Sequence, residues 1–289
     1  ELGTLICWSK IRLYQEILDS DLPEDEALNR WLIQYFPKVM QDKYRQNILD
    51  HRLRREIIAT QIASSIINRQ GPSFMTMMRE YTGRGEADIA RATFLTRESF
   101  GLKALWNGIE ALDNKVPARV QLLSACEIGR LSEQATSWFL NNPDGWATQP
   151  LSSMAGHYHK NISDIQSALS DLLPKSTLND LKKRTKTLQS HGLPDDLAGQ
   201  VASLRLLGPS CNLIRISAHH DCPLQDTAAL YYTLGHVMPF DWLRNQIGKM
   251  KINSRWEEDA LRGLKDRLYK TQAVLCITIL KSSGCSTIR

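Results

Sequence analysis

The stretch HRLRREIIATQIASSIINR, residues 51–69, decides the fold class. Apolar residues recur in and before it at intervals of three or four, which is typical of the buried face of an α-helix. These positions are Met40, Tyr44, Ile48, Leu49, Leu53, Ile57, Ile58, Ile62 and Ile66. Gly71 and Pro72 are residues that end helices. We therefore predict one helix from about Lys38 to Arg69, roughly 50 Å long at 1.5 Å per residue.

Proline divides the remaining sequence into helix-sized blocks. The first turn of a helix tolerates proline because its backbone N–H groups have no partner there. Eight prolines stand just before an amphipathic run: Pro23, Pro37, Pro72, Pro117, Pro174, Pro194, Pro223 and Pro239. Alternating strand patterns and Asn-Gly hairpin turns are almost absent. We predict an all-α fold, a bundle-like array of about a dozen helices with no significant sheet.

A second well-marked helix begins at Ser254. Ser254 and Glu257 form an S-x-x-E capping box, which satisfies backbone N–H groups at the start of a helix. The apolar face then follows at intervals of three or four: Leu261, Leu264, Leu268, Gln272, Leu275 and Ile279. Glu258 and Arg262 stand four apart and predict a solvated opposite face.

The best candidate boundary is the turn-rich stretch NNPDGWATQPLSS, residues 141–153. It has no helical or strand period, and its Pro, Gly, Asn and Ser content is typical of a connection. We predict an N-terminal helical part, residues 1–141, and a C-terminal helical part, residues 142–289. One continuous domain is the alternative, and no fixed-period repeat indicates a solenoid.

Composition excludes several classes of protein. The chain has 289 residues, of which 42% are hydrophobic and 23% charged, so it is neither disordered nor collagen-like. A net charge of +5 is far from the strongly basic balance of a typical nucleic-acid binder. Six cysteines without a CxxC pair favour reduced thiols in an intracellular protein.

No targeting or membrane segment is visible in the sequence. The N-terminus lacks a basic region followed by an apolar run, and the longest apolar stretch, residues 273–280, is too short to cross a bilayer. We expect a soluble, cytoplasmic protein that does not bind membranes. Because the sequence opens at Glu1 rather than at methionine, we also expect it to be a piece of a longer protein.

Residue patterns that carry chemistry are mostly missing. Gly83-Arg84-Gly85 is the only phosphate-loop lookalike, but a dinucleotide fingerprint needs a third glycine where Asp88 stands, and a preceding strand. We expect Gly83 to end one helix and Glu86 to begin the next. A G-x-S-x-G nucleophile elbow does not occur. We predict no catalytic and no cofactor-binding residue in this sequence.

Two histidine clusters are candidate metal ligands. They are His157-Tyr158-His159 and His219-His220-Asp221-Cys222. Ligands on one helix need a spacing of three or four to face the same ion, and neither cluster has it, so we expect packing roles and no metal. A metal-dependent enzyme that uses residues 219–222 is the less favoured alternative.

Two basic runs are candidate contact surfaces. Their residues are His51, Arg52, Arg54 and Arg55, and Lys182, Lys183 and Arg184. An ordinary solvated helix face is the default interpretation of such runs. The more specific interpretation is a contact with an acidic surface of another domain or subunit. Nucleic acid is an unlikely partner, because aromatic residues do not interleave with these charges as stacking platforms.

Seven tryptophans are the other notable feature. Six lie on apolar helix faces, where packing in the core is the default expectation, although tryptophan is also enriched at interface hot spots. These six are Trp8, Trp31, Trp106, Trp138, Trp242 and Trp256. The seventh, Trp146, falls in the predicted connection. The sequence leaves core and interface open as alternatives.

Residues 51–69 resemble a signature stretch of the large bacterial NAD-specific glutamate dehydrogenases. Further resemblance, in the same order along nearly the whole chain, comes from residues 10–25, 35–37, 104–118, 192–198, 230–235 and 241–243, and from Trp256, Ala260, Leu261, Leu268 and Gln272. The resemblance is to the C-terminal region of those enzymes. It implies that the catalytic residues and the nucleotide-binding domain precede this segment.

The resemblance implies a function for the parent protein rather than for the segment. The parent would oxidise L-glutamate with NAD⁺ and water to 2-oxoglutarate, ammonia and NADH, and this segment alone would be inactive and bind no cofactor. Its expected role is structural, oligomerising or regulatory, with the catalytic domain of the same polypeptide as partner and a homo-oligomer as assembly. The alternative is a stand-alone helical interaction module that binds an acidic protein or a nucleic acid.

Overall fold

The computed structural model describes residues 1–142 and 149–282. Within these residues the chain forms sixteen α-helices and two short 3₁₀ turns, and it contains no strand. The prediction of an all-α fold is therefore confirmed. Residues 143–148, which include Trp146 and most of the predicted connection, lie outside the described residues.

The chain divides into two compact units. Unit 1 consists of residues 1–107 and 125–159, and unit 2 consists of residues 108–124 and the chain from 160 onward. The boundary predicted at residues 141 and 142 stays a prediction.

Unit 1 contains seven complete helices. They are α1 Leu2–Leu18, α2 Asn29–Tyr35, α3 Lys38–Gln41, α4 Arg45–Leu49, α5 Arg54–Gln70, α6 Phe74–Thr82 and α7 Glu86–Ser99. The 3₁₀ turns Leu22–Glu24 and Glu26–Leu28 connect α1 to α2. Three further helices have residues in both units: α8 Leu102–Glu110, α9 Ala118–Asn141 and α10 Leu151–Leu172.

Helix α5 is the centre of unit 1. It packs against α1, α2 and α7, and its buried residues include Ile58, Ile62 and Ile66 from the predicted stripe. Leu13 and Ile17 of α1 are fully buried. Because burying such a side chain stabilises the fold by about 1.5–3 kcal/mol, this shared apolar face sets the helix arrangement.

The prediction of one helix over residues 38–69 is wrong, since three helices occupy that range. Helix α3 ends at Gln41 and α4 ends at Leu49, before α5 begins. At the second break the Asp50 side chain accepts a hydrogen bond from Gln46, and His51 Nδ1 accepts one from the backbone N–H of Leu53 at 3.1 Å. The Leu53 N–H thus donates to a nearby side chain rather than to a helical backbone carbonyl, which favours a turn.

Unit 2 contains six complete helices. They are α11 Lys175–Ser190, α12 Asp195–Leu207, α13 Ser210–His220, α14 Leu224–Val237, α15 Phe240–Lys249 and α16 Arg255–Ser282. Helix α14 packs against α13, α15 and α16. At its crossing with α16, a Cβ on Gly235 would lie 2.8 Å from Gln272 Nε2, so any larger residue there would displace the Gln272 side chain. Gln272 Nε2 donates to the Tyr231 carbonyl at 2.7 Å.

The predicted start of α16 is confirmed. The Glu257 N–H donates to Ser254 Oγ at 3.2 Å, and the Glu257 carboxylate accepts from the Asn253 N–H at 2.7 Å. Gln272 of the predicted stripe is buried. Beyond it the buried face lies one position from the stripe, with Ala273, Cys276 and Leu280 buried and Leu275 and Ile279 only half-buried. Small residues at this face allow the close approach of α14.

Candidate functional site

Two of the three arginines of the first basic run, Arg54 and Arg55, are bound within unit 1. Arg55 Nη1 donates to Glu24 Oε1 at 2.5 Å, and its Nη2 donates to the carbonyls of Leu18 and Ser20 at 2.6 and 3.0 Å. Arg54 donates to the other Glu24 oxygen at 2.7 Å. These bonds join the start of α5 to the end of α1, and we call Arg54, Arg55 and Glu24 the arginine clamp.

The arginine clamp changes the pKa of its carboxylate, Glu24. Hydrogen bonding and charge from Arg55 and Arg54 lower the pKa of Glu24, and the bond to Arg55 is the largest cause. Burial opposes this change only partly, because the Glu24 side chain is 53% exposed. The carboxylate therefore stays ionised to a lower pH than an ordinary glutamate does.

The other two residues of this run lie at the turn before α5. His51 Nδ1 is occupied by the Leu53 N–H, and the His51 ring lies 5.6 Å from the Phe36 ring, centroid to centroid. Arg52 is exposed. The four residues predicted as one contact surface thus have different surroundings.

The second basic run lies on α11, where no side chain is fully buried. Lys182 and Lys183 are exposed, and Arg184 is half-buried. The helix packs against α12. We call the exposed pair Lys182 and Lys183 the α11 basic surface.

The glycine pair has the structural role expected from the sequence. Gly83 ends α6 in the left-handed conformation, with φ of 70°, and its N–H donates to the Arg79 carbonyl. Glu86 is in the first turn of α7, 6% exposed and 2.7 Å from an Arg12 nitrogen. A buried carboxylate at this helix start would repel a phosphate.

Neither histidine cluster forms a set of converging ligands. His157 and His159 lie within α10, and His159 Nδ1 lies 3.2 Å from the Ser99 carbonyl. His219 and His220 end α13, and Cys222 is buried. Cys7, Cys126, Cys211 and Cys276 are free thiols. Within residues 1–142 and 149–282, no group of three His, Cys, Asp or Glu side chains could hold a metal.

Three tryptophans that sequence reasoning placed by default in the core are exposed. Trp8 is 67%, Trp242 58% and Trp256 84% exposed. The last two belong to a segment rich in exposed apolar side chains, residues 237–256, which we call the α15 surface. Its exposed apolar residues are Val237, Met238, Trp242, Leu243, Met250, Ile252 and Trp256.

A cleft in unit 1 has no signature in the sequence patterns described above. Helices α2, α5, α7 and α8 line it with Trp31, Arg69, Arg97 and Trp106, beside apolar side chains. The Arg97 guanidinium lies 4.2 Å from the centroid of the Trp31 ring, and the Arg69 guanidinium lies 5.5 Å from that of Trp106. The available signal was an arginine at a position within an apolar helical stripe. Periodicity does not show which aromatic residues, 30 to 70 positions away in the sequence, become its partners.

Among the described residues, no helix is long and apolar enough to span a membrane.

Comparison with known proteins gives a consistent result. The family model described as "Glutamate dehydrogenase, C-terminal" matches residues 1–288. The chain is 30% identical over 284 residues to the NAD-specific glutamate dehydrogenase of Halomonas elongata and 31% identical over 284 residues to that of Pseudomonas aeruginosa. It is 25% identical over 282 residues to the corresponding protein of Mycobacterium tuberculosis. These matches cover 97–98% of the chain but only 17% of each relative.

Proposed function

The chain belongs to the family of glutamate dehydrogenase C-terminal regions, and we propose that it is the C-terminal helical part of an NAD-dependent glutamate dehydrogenase. The parent reaction is the oxidation of L-glutamate by NAD⁺ and water to 2-oxoglutarate, ammonia and NADH. The relatives are NAD-specific enzymes by name, and this chain spans about one sixth of their length. NAD and the reacting groups belong to the rest of the polypeptide, and the cytoplasm is the proposed compartment.

The role of this part is to dock on the remainder of the polypeptide and to support its assembly into a homo-oligomer. The α15 surface carries the proposal, because it exposes seven large apolar side chains within residues 237–256. Large exposed apolar patches mark interaction sites, and tryptophan is enriched at the energetic centres of interfaces. Trp242 and Trp256 are the expected anchors.

The occupant of the α15 surface is the part of the same polypeptide that lies outside this chain. Most of the length of each relative lies outside the matched region, so a large surface is available in the same molecule. The α11 basic surface adds charge complementarity toward an acidic face. Exposed charges guide association and set its specificity more than they add affinity.

The test uses the intact polypeptide with Trp242→Ser and Trp256→Ser together. Because both side chains are more than half exposed, the unfolding temperature of this region should stay unchanged while oligomeric state and glutamate-dependent NAD⁺ reduction fall. Light scattering after size exclusion and a steady-state assay measure these two quantities. Val39→Ser, at a position that is 84% exposed in unit 1, is the matched control.

Unchanged assembly and unchanged turnover in the double tryptophan variant would contradict the docking role. Salt-dependent binding to DNA or to an acidic protein by the wild-type chain, with assembly unaffected, would instead favour a stand-alone interaction module. Absence of glutamate-dependent NAD⁺ reduction by the wild-type polypeptide would contradict the proposed parent reaction.

A further inference from the structure

The first half of α1, in unit 1, exposes a row of large apolar side chains. Leu2, Leu5, Trp8 and Ile11 are 66%, 53%, 67% and 60% exposed. These residues stand three positions apart, and side chains at that spacing form a ridge that runs obliquely across the surface of a helix. We call these four residues the α1 ridge.

The second half of the same helix is packed in the ordinary way. Leu13 and Ile17 are fully buried, and α1 packs against α5 and α7. At 3.6 residues per turn, Trp8 and Ile11 lie on the side of the helix opposite Leu13. The α1 ridge is therefore not part of the core of unit 1.

The α1 ridge lies on a helical surface almost without charge. The eight residues from Leu2 to Ser9 include no Asp, Glu, Lys or Arg. The next exposed charge along the helix, Arg12, lies 2.7 Å from a Glu86 carboxylate oxygen. Solvated helix faces normally carry charged residues, whereas the buried centres of protein interfaces are depleted of charge and enriched in aromatic residues. The ridge thus fits an apolar partner rather than a charged one.

We propose that the α1 ridge packs against an apolar face of the polypeptide that precedes α1 in the parent enzyme. This inference rests on the proposed function: the matched family is a C-terminal region, and the match covers only 17% of each relative, so most of the remaining polypeptide comes before it. The ridge is a docking surface of unit 1, additional to the α15 surface of unit 2.

The position of the α1 ridge favours this occupant over a separate molecule. The ridge lies within the first three turns of the helix, so all of it is within about 15 Å of the preceding polypeptide at 1.5 Å per residue. A covalently linked partner is present at a high effective concentration, on the order of millimolar for a short connection. A small apolar ridge can therefore hold a linked partner, although it would hold a free one only weakly.

Cys7 provides a direct test, because it is an exposed free thiol one helical turn from Ile11 on the same side of α1. The intact polypeptide is treated with N-ethylmaleimide, natively and in urea, and mass spectrometry measures the labelling rate of Cys7. We expect native labelling to be slower than labelling in urea by about tenfold or more, since a covered thiol reacts only after local opening.

A ridge variant and a matched control assign this protection to the α1 ridge. Trp8→Ser with Ile11→Ser should return Cys7 close to its rate in urea, whereas Val39→Ser, at another exposed apolar position of unit 1, should leave Cys7 protected. Labelling of Cys126, the other exposed free thiol among the described residues of unit 1, should keep its wild-type rate in both variants and so report that the unit is folded.

Native labelling of Cys7 as fast as in urea would overturn the proposal, and so would protection that persists in the ridge variant. Protection that falls when the native polypeptide is diluted would assign the α1 ridge to a second copy of the chain and would overturn the proposal as well. Thiol labelling does not depend on glutamate-dependent turnover or on the α15 surface, so this inference and the proposed function can fail separately.

Discussion

Arg54 and Arg55 at the start of α5 and Lys182 and Lys183 on α11 belong to basic runs that look alike in sequence. In the structure the arginines hold Glu24 and two backbone carbonyls, whereas the lysines are exposed on a helix without a fully buried residue. The arginines are bound because hydrogen-bond acceptors lie within contact distance of their side chains. The carboxylate and carbonyls that follow α1 lie where planar guanidinium groups can contact them. A basic run therefore predicts charge but does not predict whether that charge is internal or free to dock.

The largest effect on this comparison should come from Arg55→Met. The change removes the bond to Glu24 and two bonds to backbone carbonyls at the end of α1. Bonds to a charged donor contribute about 1.5–3 kcal/mol each when buried, but Arg55 is 40% exposed, so we expect a loss of about 2 kcal/mol in the free energy of unfolding. Urea unfolding of unit 1 measures it, and a loss no larger than that of Lys183→Met would contradict the clamp.

A smaller effect should follow Glu24→Gln, which keeps the shape of the side chain and removes its charge. Both arginines would then face a neutral amide. Because Glu24 is 53% exposed, solvent screens the pair, and we expect a loss of about 1 kcal/mol or less at neutral pH. Comparison of the urea midpoints of the two proteins measures it, with Glu26→Gln as an exposed control in the neighbouring turn.

The same pair predicts a pH dependence. The pKa of Glu24 is lowered in the folded chain from its usual value of 4.5, chiefly by Arg55. Its contribution to stability is therefore fully present above the unfolded value and is lost as the pH falls through the folded value. The stability difference between wild type and Glu24→Gln should shrink as the pH is lowered below about 4.5. A difference that grows on acidification would show that the sign is wrong.

The smallest effect on stability should come from the α11 basic surface. Lys182→Ala with Lys183→Ala removes exposed side chains from a helix that favours alanine, so we expect a change within about 0.5 kcal/mol. Thermal unfolding of the variant beside wild type measures it. A loss comparable to that of Arg55→Met would mean that these lysines, like the arginines, are part of the fold.

Local patterns predicted the helices better than they predicted their breaks. The stripe of Ile58, Ile62 and Ile66 and the cap at Ser254 both depend on residues within one or two turns, and both are confirmed. The break before α5 depends on side-chain bonds of Asp50 and His51 that compete with the helix. Periodicity does not show whether such a side-chain bond is more stable than the backbone bonds of a continued helix. The predicted helix was therefore too long.

The sequence patterns did not predict which distant residues surround a given side chain. Trp106 is buried and Trp256 is 84% exposed, although both stand on apolar helical patterns. Arg97 and Trp31 meet across 66 positions, and no spacing rule relates them. The sequence identified the candidate contact residues by their charge. Whether each of these residues is internal or exposed depends on its tertiary neighbours.

One measurement tests the docking role of the exposed run most directly. It is the oligomeric state and glutamate-dependent turnover of the intact polypeptide with Lys182→Glu and Lys183→Glu. The control is Lys115→Glu with Lys160→Glu, an equal charge reversal at exposed positions of unit 2 outside the α11 basic surface and the α15 surface. We predict that the first pair weakens assembly and turnover, increasingly at low salt, while the second pair leaves both unchanged. Equal behaviour of the two variants would contradict the assignment of α11 as a docking surface.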